Sequence, residues 1–160
     1  MSSFDAGTVQ EHLFALAHKV IPVLDKMLDR NGGALHIIAL HEGINHSEVV
    51  GFPSIDKRGI YTDNARRKVV ELTIQIFVAS TASIADPEGD PPLYGGGIRC
   101  SNGWIIAFSG YPPEWDEALC IALAKHFNLL SEEDELRIVQ FYQNQKRVSE
   151  VEEMIAYVLR

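Results

Sequence analysis

Cysteine is scarce. The 160 residues hold two, Cys100 and Cys120, and no Cys-x-x-Cys. That excludes a disulfide framework and a cysteine-rich zinc module. It fits two free, buried thiols in a reducing, cytoplasmic setting. Positive charge is also short: 14 Lys and Arg stand against 22 Asp and Glu, for a net charge of −8. Such a balance argues against a nucleic-acid partner, whose phosphates demand cations. It argues equally against docking on an anionic membrane surface. There is no long apolar run, and the N-terminus MSSFDAGTVQEH lacks the basic-plus-apolar pattern of a signal peptide. No membrane partner is expected. The six histidines form no HxxxH, HxxH or His-Cys cluster, which speaks against structural zinc. No internal repeat or low-complexity tract occurs.

What remains is ordinary globular composition, 46% apolar and 22% charged. A chain of this length suits one domain, residues 1–160, with a sizeable core. The stretch Tyr94 to Ala124 organises it. Asn102-Gly103 predicts a type I′ hairpin turn, with Ile98–Ser101 leading in and Trp104–Ser109 leading out. The second strand is apolar on both faces, so it belongs mid-sheet under helices. Pro113 suits the first position of a helix. Glu114, Asp116 and Glu117 fall in its first turn, where the helix dipole favours negative charge. Leu119, Ile121, Ala122, Leu123 and Phe127 form its buried face.

The earlier chain predicts a helix opened by a Thr8-x-x-Glu11 capping box. Pro22 should kink it and Asn31-Gly32-Gly33 should end it. Strands follow over Leu35–Glu42 and Ser47–Phe52. Thr62 or Asp63 caps the next helix, which runs to about Ala79 with Val69, Leu72, Ile76 and Phe77 inward. Residues 85–93 read as a loop within the domain. Ser131 caps a further helix with Leu136, Val139 and Phe141 or Tyr142 inward. Ser149-x-x-Glu152 marks a last capping box, ahead of a Val151, Met154, Ile155, Val158, Leu159 stripe. This order of elements is α+β. It fits an antiparallel, profilin-like sheet flanked by helices, with a two-helix C-terminal extension.

Several chemical readings fail on spacing. Gly95-Gly96-Gly97 enters a strand, and no Gly-Lys-Ser/Thr leads into a helix, so this is no phosphate loop. Bare backbone there still lets a flat ligand or another subunit come near. Ser109-Gly110 is no nucleophile elbow. His36, His41 and His46 are spaced by five, which matches no ligand code. Arg99 offers a fork for a carboxylate or phosphate, unless it pairs with Glu114 or Asp116. Tyr111 and Trp115 supply aromatic walls near Ser109. Trp104 should stand five strand steps, roughly 16 Å, from Ser109. The expected ligand site is therefore Gly95, Gly96, Gly97, Arg99, Ser109, Tyr111 and Trp115. An anion is the expected guest, and no catalytic group declares itself.

Gly95-Gly96-Gly97-Ile98, the Asn-Gly hairpin, Ser109-Gly110, Pro113 and Asp116-Glu117-Ala118 occur in that order. The series resembles the end of a GlcG-like domain, the haem-binding and haem-degrading sensor family. The C-terminal domain of some corrinoid adenosyltransferases is similar. Arg99 departs from the family's usual Pro, and Tyr111 from its frequent second Gly. The resemblance spans roughly residues 8–127, and residues 128–160 have no counterpart in it. It implies a small-molecule-binding module with haem, another tetrapyrrole or a small anion as ligand. It also implies a homo-oligomer, and His18 on the first helix as an axial haem ligand. Two other readings stand beside it: an oligomeric interaction protein whose C-terminal helices form the interface, and an enzyme of haem breakdown or related chemistry.

Overall fold

The computed structural model describes residues 5–160. Helix α1 (Ala6–Leu28) begins one turn before the Thr8 box, because Asp5 caps it. The Asp5 carboxylate accepts from the Thr8 amide at 3.2 Å and from the Thr8 hydroxyl at 2.9 Å. The helix runs through Pro22, and it ends at Asp29 in a left-handed conformation rather than at Gly32-Gly33. Those glycines lead instead into strand β1 (Gly33–Ala39), which is buried along its whole length.

A 3₁₀ turn at Leu40–Glu42 replaces the end of the expected first strand. Strand β2 (Ile44–Val50) then pairs antiparallel with β1. Helix α2 (Ile55–Ile74) follows, then β3 (Gly97–Arg99), β4 (Ile105–Ser109) and α3 (Pro113–His126). The sheet order is β2-β1-β4-β3 with every neighbour antiparallel. Strand β4 is therefore central, as its unbroken apolar run requires. Strand alternation splits the core. Leu35, Ile37, Ile106 and Phe108 face α1 and α3, whereas Ile38, Ile105 and Ala107 face Val69 and Leu72 of α2.

The hairpin turn has three residues, not two. Gly103 donates to the Cys100 carbonyl at 3.1 Å, and Cys100 donates to the Trp104 carbonyl at 2.7 Å. Gly103 alone in the loop has a positive φ, of 88°. This is a turn closed by a glycine bulge, a common alternative to type I′. A Cβ on Gly103 meets no atom within 4 Å, so backbone strain is the whole cost of a side chain there. Gly103→Val should destabilise the fold by ~1–2 kcal/mol, the cost of the left-handed region for an L-residue. Urea denaturation with an unchanged midpoint would contradict this turn.

Helix α2 differs most from expectation. It starts at Ile55 behind Ser54, two turns before Thr62 and Asp63, and it ends at Ile74. Ile76 and Phe77 are outside it and exposed, Phe77 by 96%. The C-terminal helices are α4 (Glu132–Val139) and α5 (Gln145–Val158). Ser131 caps α4 through the Asp134 amide, but Ile138 rather than Leu136 turns inward. Helix α5 starts a turn before Ser149. Its Val148, Val151 and Ile155 join the core shared with α1 and α3. It forms an outer layer on those helices, with Met154 and Val158 half-buried and Leu159 exposed. Among the described residues no helix is long and apolar enough to cross a membrane.

Candidate functional site: a cleft over a buried lysine

A lysine sits where α2 should carry an apolar residue. Ala65, Lys68, Val69 and Leu72 share the buried face of the helix. Lys68 is 1% exposed. Its Nζ donates to the Phe108 carbonyl at the end of β4 at 2.6 Å, and reaches Asp116 Oδ2 on α3 at 3.3 Å. A buried ammonium is tolerable only when paired and hydrogen-bonded. Asp116 supplies the pair, and its other oxygen accepts the Tyr111 amide at 2.9 Å. Burial pushes the Asp116 carboxyl up to about 7, with the Lys68 charge pulling the other way.

Gly96 makes room for this pair. Its φ is 116°, and a Cβ there would lie 2.6 Å from Asp116 Cβ and 2.8 Å from Lys68 Nζ. Gly97 backs onto the Lys68 stem, and Gly95 onto the Tyr142 hydroxyl. The bare backbone of Gly95, Gly96 and Gly97 is thus covered by the protein's own side chains. The Tyr111 hydroxyl donates to Asp25 Oδ1 at 2.8 Å, which ties the start of α3 to α1. Asp25 also accepts the Gly32 amide at 2.7 Å.

Above Lys68 opens a cleft of about 250 Å³. Lys68, Asp116, Ser109 and Tyr111 lie on its wall with Arg30, Tyr61, Asn64 and Tyr94. Arg30 is exposed and reaches the Gly110 carbonyl at 3.5 Å. Two cations thus face one carboxylate in a chain that is otherwise acidic.

The structure brings Ser109 and Tyr111 to this cleft and leaves Gly95, Gly96, Gly97, Arg99, Trp115 and His18 out of its lining. Arg99 pairs with Ile105, at the turn end of the hairpin. Its guanidinium donates to the carbonyls of Val78 at 3.1 Å and Gln75 at 3.3 Å, behind the end of α2, and not to Glu114 or Asp116. The antiparallel register separates it from Ser109, which pairs with Ala34. Trp115 lies under the Arg147 guanidinium, 5.8 Å from its ring centre, and packs on the core. His18 Nε2 meets Glu48 Oε1 at 3.1 Å, and Glu48 Oε2 meets His46 at 2.8 Å. His18 is engaged with that carboxylate, and no histidine lines the cleft. Among the described residues no three or more His, Cys, Asp or Glu side chains are grouped to hold a metal ion.

Sequence reading missed Lys68, Arg30, Tyr61, Asn64 and Tyr94. Lys68 did leave a signal, because 65, 68, 69 and 72 carry helical core spacing with a lysine inside it. Asp116 and Glu117 are more than first-turn dipole partners. Glu117 is fully buried. It accepts from the Ser80 hydroxyl at 2.7 Å and from Asn144 Nδ2 at 3.3 Å. Burial lifts it to about 7, against those two bonds. Cys100 and Cys120 are free and buried, and burial raises both thiols, so neither is a nucleophile.

No protein-family model, curated protein or solved structure matches the chain.

Proposed function

We propose that the protein is a small-molecule-binding module of the GlcG-like type, and that the cleft over Lys68 takes a small organic anion such as a carboxylate. The observation that carries this reading is the pair Arg30 and Lys68 on one wall of the cleft in a chain of net charge −8. Lys68 is 1% exposed and already donates to Phe108 and Asp116, so the exposed Arg30 is the donor open to a guest and Lys68 adds its charge behind it. Ser109, Asn64, Tyr61 and Tyr94 add neutral polar groups, the usual means of orienting a ligand. The cleft lies below the roughly 300–1,000 Å³ of sites for drug-sized ligands. A small acid suits it better than a tetrapyrrole. The family resemblance of the hairpin supports the general reading.

Acid–base chemistry is the second reading. It rests on Asp116, a carboxyl lifted to about 7 on the cleft wall, since catalytic acids and bases work best near ambient pH.

Calorimetric titration with a panel of small mono- and dicarboxylates tests binding, with haem titrated in parallel. Arg30→Ala should weaken the binding of a carboxylate by ~1.5–3 kcal/mol, the range of a hydrogen bond to a charged group. Arg30 is exposed, so the variant should fold. A carboxylate that binds both proteins equally would remove the cleft from consideration. A saturable one-to-one Soret band would return the argument to haem.

A further inference from the structure

The outer face of α2 carries a pattern that the monomer does not use. Of the thirteen exposed large apolar residues among the described residues, seven lie from Phe52 to Phe77: these two with Ile55, Ile60, Val70, Ile74 and Ile76. Opposite the buried face of the helix runs a stripe of Asp56, Ile60, Asp63, Arg67, Val70 and Ile74. The spacing alternates four and three, the spacing of helices packed along one another, with apolar side chains at 60, 70 and 74 and charges at 56, 63 and 67. The stripe is palindromic about position 65. Position 56 mirrors 74, 60 mirrors 70, and 63 mirrors 67.

We infer that a second copy of this chain packs antiparallel on the outer face of α2, about a two-fold axis that crosses the helix at the level of position 65. A two-fold contact requires a self-complementary patch, which the centre of this stripe provides from Ile60 to Val70, while Asp56 and Ile74 fall at its ends. Ile60 of one copy then faces Val70 of the other, twice. Asp63 faces Arg67, twice, so the charges are complementary as well as the apolar groups. Asp63 now holds the exposed Arg66 at 3.1 Å within its own helix, an ion pair that competes only weakly. Gly59 is the second sign. Glycine in a helix interior is unfavourable, and nothing in the monomer lies within 4 Å of a Cβ there. A close-packed helix from another copy gives it a purpose. Antiparallel pairing also brings the Phe52 end of one α2 beside the Phe77 end of the other. These aromatics extend the contact beyond the helix, as an interface of about 1,600 Å² needs. The charges that flank the stripe are Lys57, Arg66 and Glu71. A surface of mixed sign accepts its own copy.

Sedimentation equilibrium of the full chain at 1–100 µM tests this. The wild type should run at twice the 17.8 kDa of one chain. Asp63→Arg alone places four arginines at the seam centre, and Arg67→Asp alone places four aspartates. Each should weaken dimerisation roughly 30-fold or more, since two ion pairs become two repulsions. Mixing the two single variants should restore a dimer, because every 63–67 contact is then of opposite sign. The double variant Asp63→Arg/Arg67→Asp should also dimerise. Asp63 is exposed and Arg67 half-buried, and circular dichroism checks that each variant folds. A monomeric wild type at 100 µM would overturn the inference. So would a dimer whose affinity the single variants leave unchanged, since its interface must then lie elsewhere.

Discussion

Lys68→Met should destabilise the protein by ~3–5 kcal/mol, the cost of removing one partner of a buried ion pair. The methionine fills much of the same volume, so the loss is electrostatic rather than a cavity. It leaves Asp116 without its cation and the Phe108 carbonyl without the donor at 2.6 Å. Asp116 would then fold protonated. Removing the charge at both sites is different in kind, because no lone buried ion survives. Lys68→Met/Asp116→Asn should recover more than half of the loss, and the Asn oxygen can still accept from the Tyr111 amide. Urea denaturation of the single and double variants measures both values. A single variant as stable as wild type would mean that Lys68 finds water in solution and that the pair is not sealed. The same experiment bears on the cleft. If Lys68 contributes stability at this scale, its ammonium is held in place before a ligand arrives, as a preorganised site requires.

The second large effect is a stability that falls as pH rises. Glu117 has its native pKa raised from 4.5 to about 7, mainly by burial. A raised carboxyl binds its proton more tightly in the folded state than in the unfolded one. Below pH 4.5 both states are protonated and there is no effect. Between 4.5 and about 7 the unfolded chain ionises first, so stability declines with pH. Above 7 both states are ionised and the loss is complete. Each tenfold difference in proton affinity between the two states is worth ~1.4 kcal/mol, so Glu117 should account for ~3 kcal/mol over this window. Asp116 acts in the same direction with Lys68 opposing it. Glu117→Gln should remove the Glu117 share of the slope and leave the variant more stable than wild type at pH 8. Its amide oxygen can keep one of the bonds from Ser80 and Asn144. Thermal unfolding across pH 4–8 reads the difference. Parallel profiles for the two proteins would show that Glu117 is hydrated in the native state.

Much of this architecture is legible in the residues. The run WIIAFS has no polar face to give to water, and it became the central strand β4. Pro113 stands at the start of α3, and Ser131 caps α4, because such positions are decided within one helical turn. Gly103 adopts positive φ for the same local reason, although the loop type differs. The boundaries of α2 were not legible. Its outer face carries Ile55, Ile60 and Ile74 and its inner face carries Lys68, so its hydrophobic period is blurred on both sides.

The candidate site divides along the same line. Composition alone excluded a disulfide scaffold and disfavoured nucleic acid. Sequence proximity also placed Ser109 and Tyr111 at one end of the hairpin, where they belong. Proximity misled for Arg99, since the antiparallel register sends it to the turn end of the hairpin, away from Ser109. Only the tertiary structure could set Lys68 beside Asp116, 48 residues further along, and Glu117 beside Ser80 and Asn144. Each of these charged or polar groups looks like a surface residue when read locally. What sets Lys68 and Asp116 apart is the low dielectric around them, and that exists only once α2, β4 and α3 have closed over them.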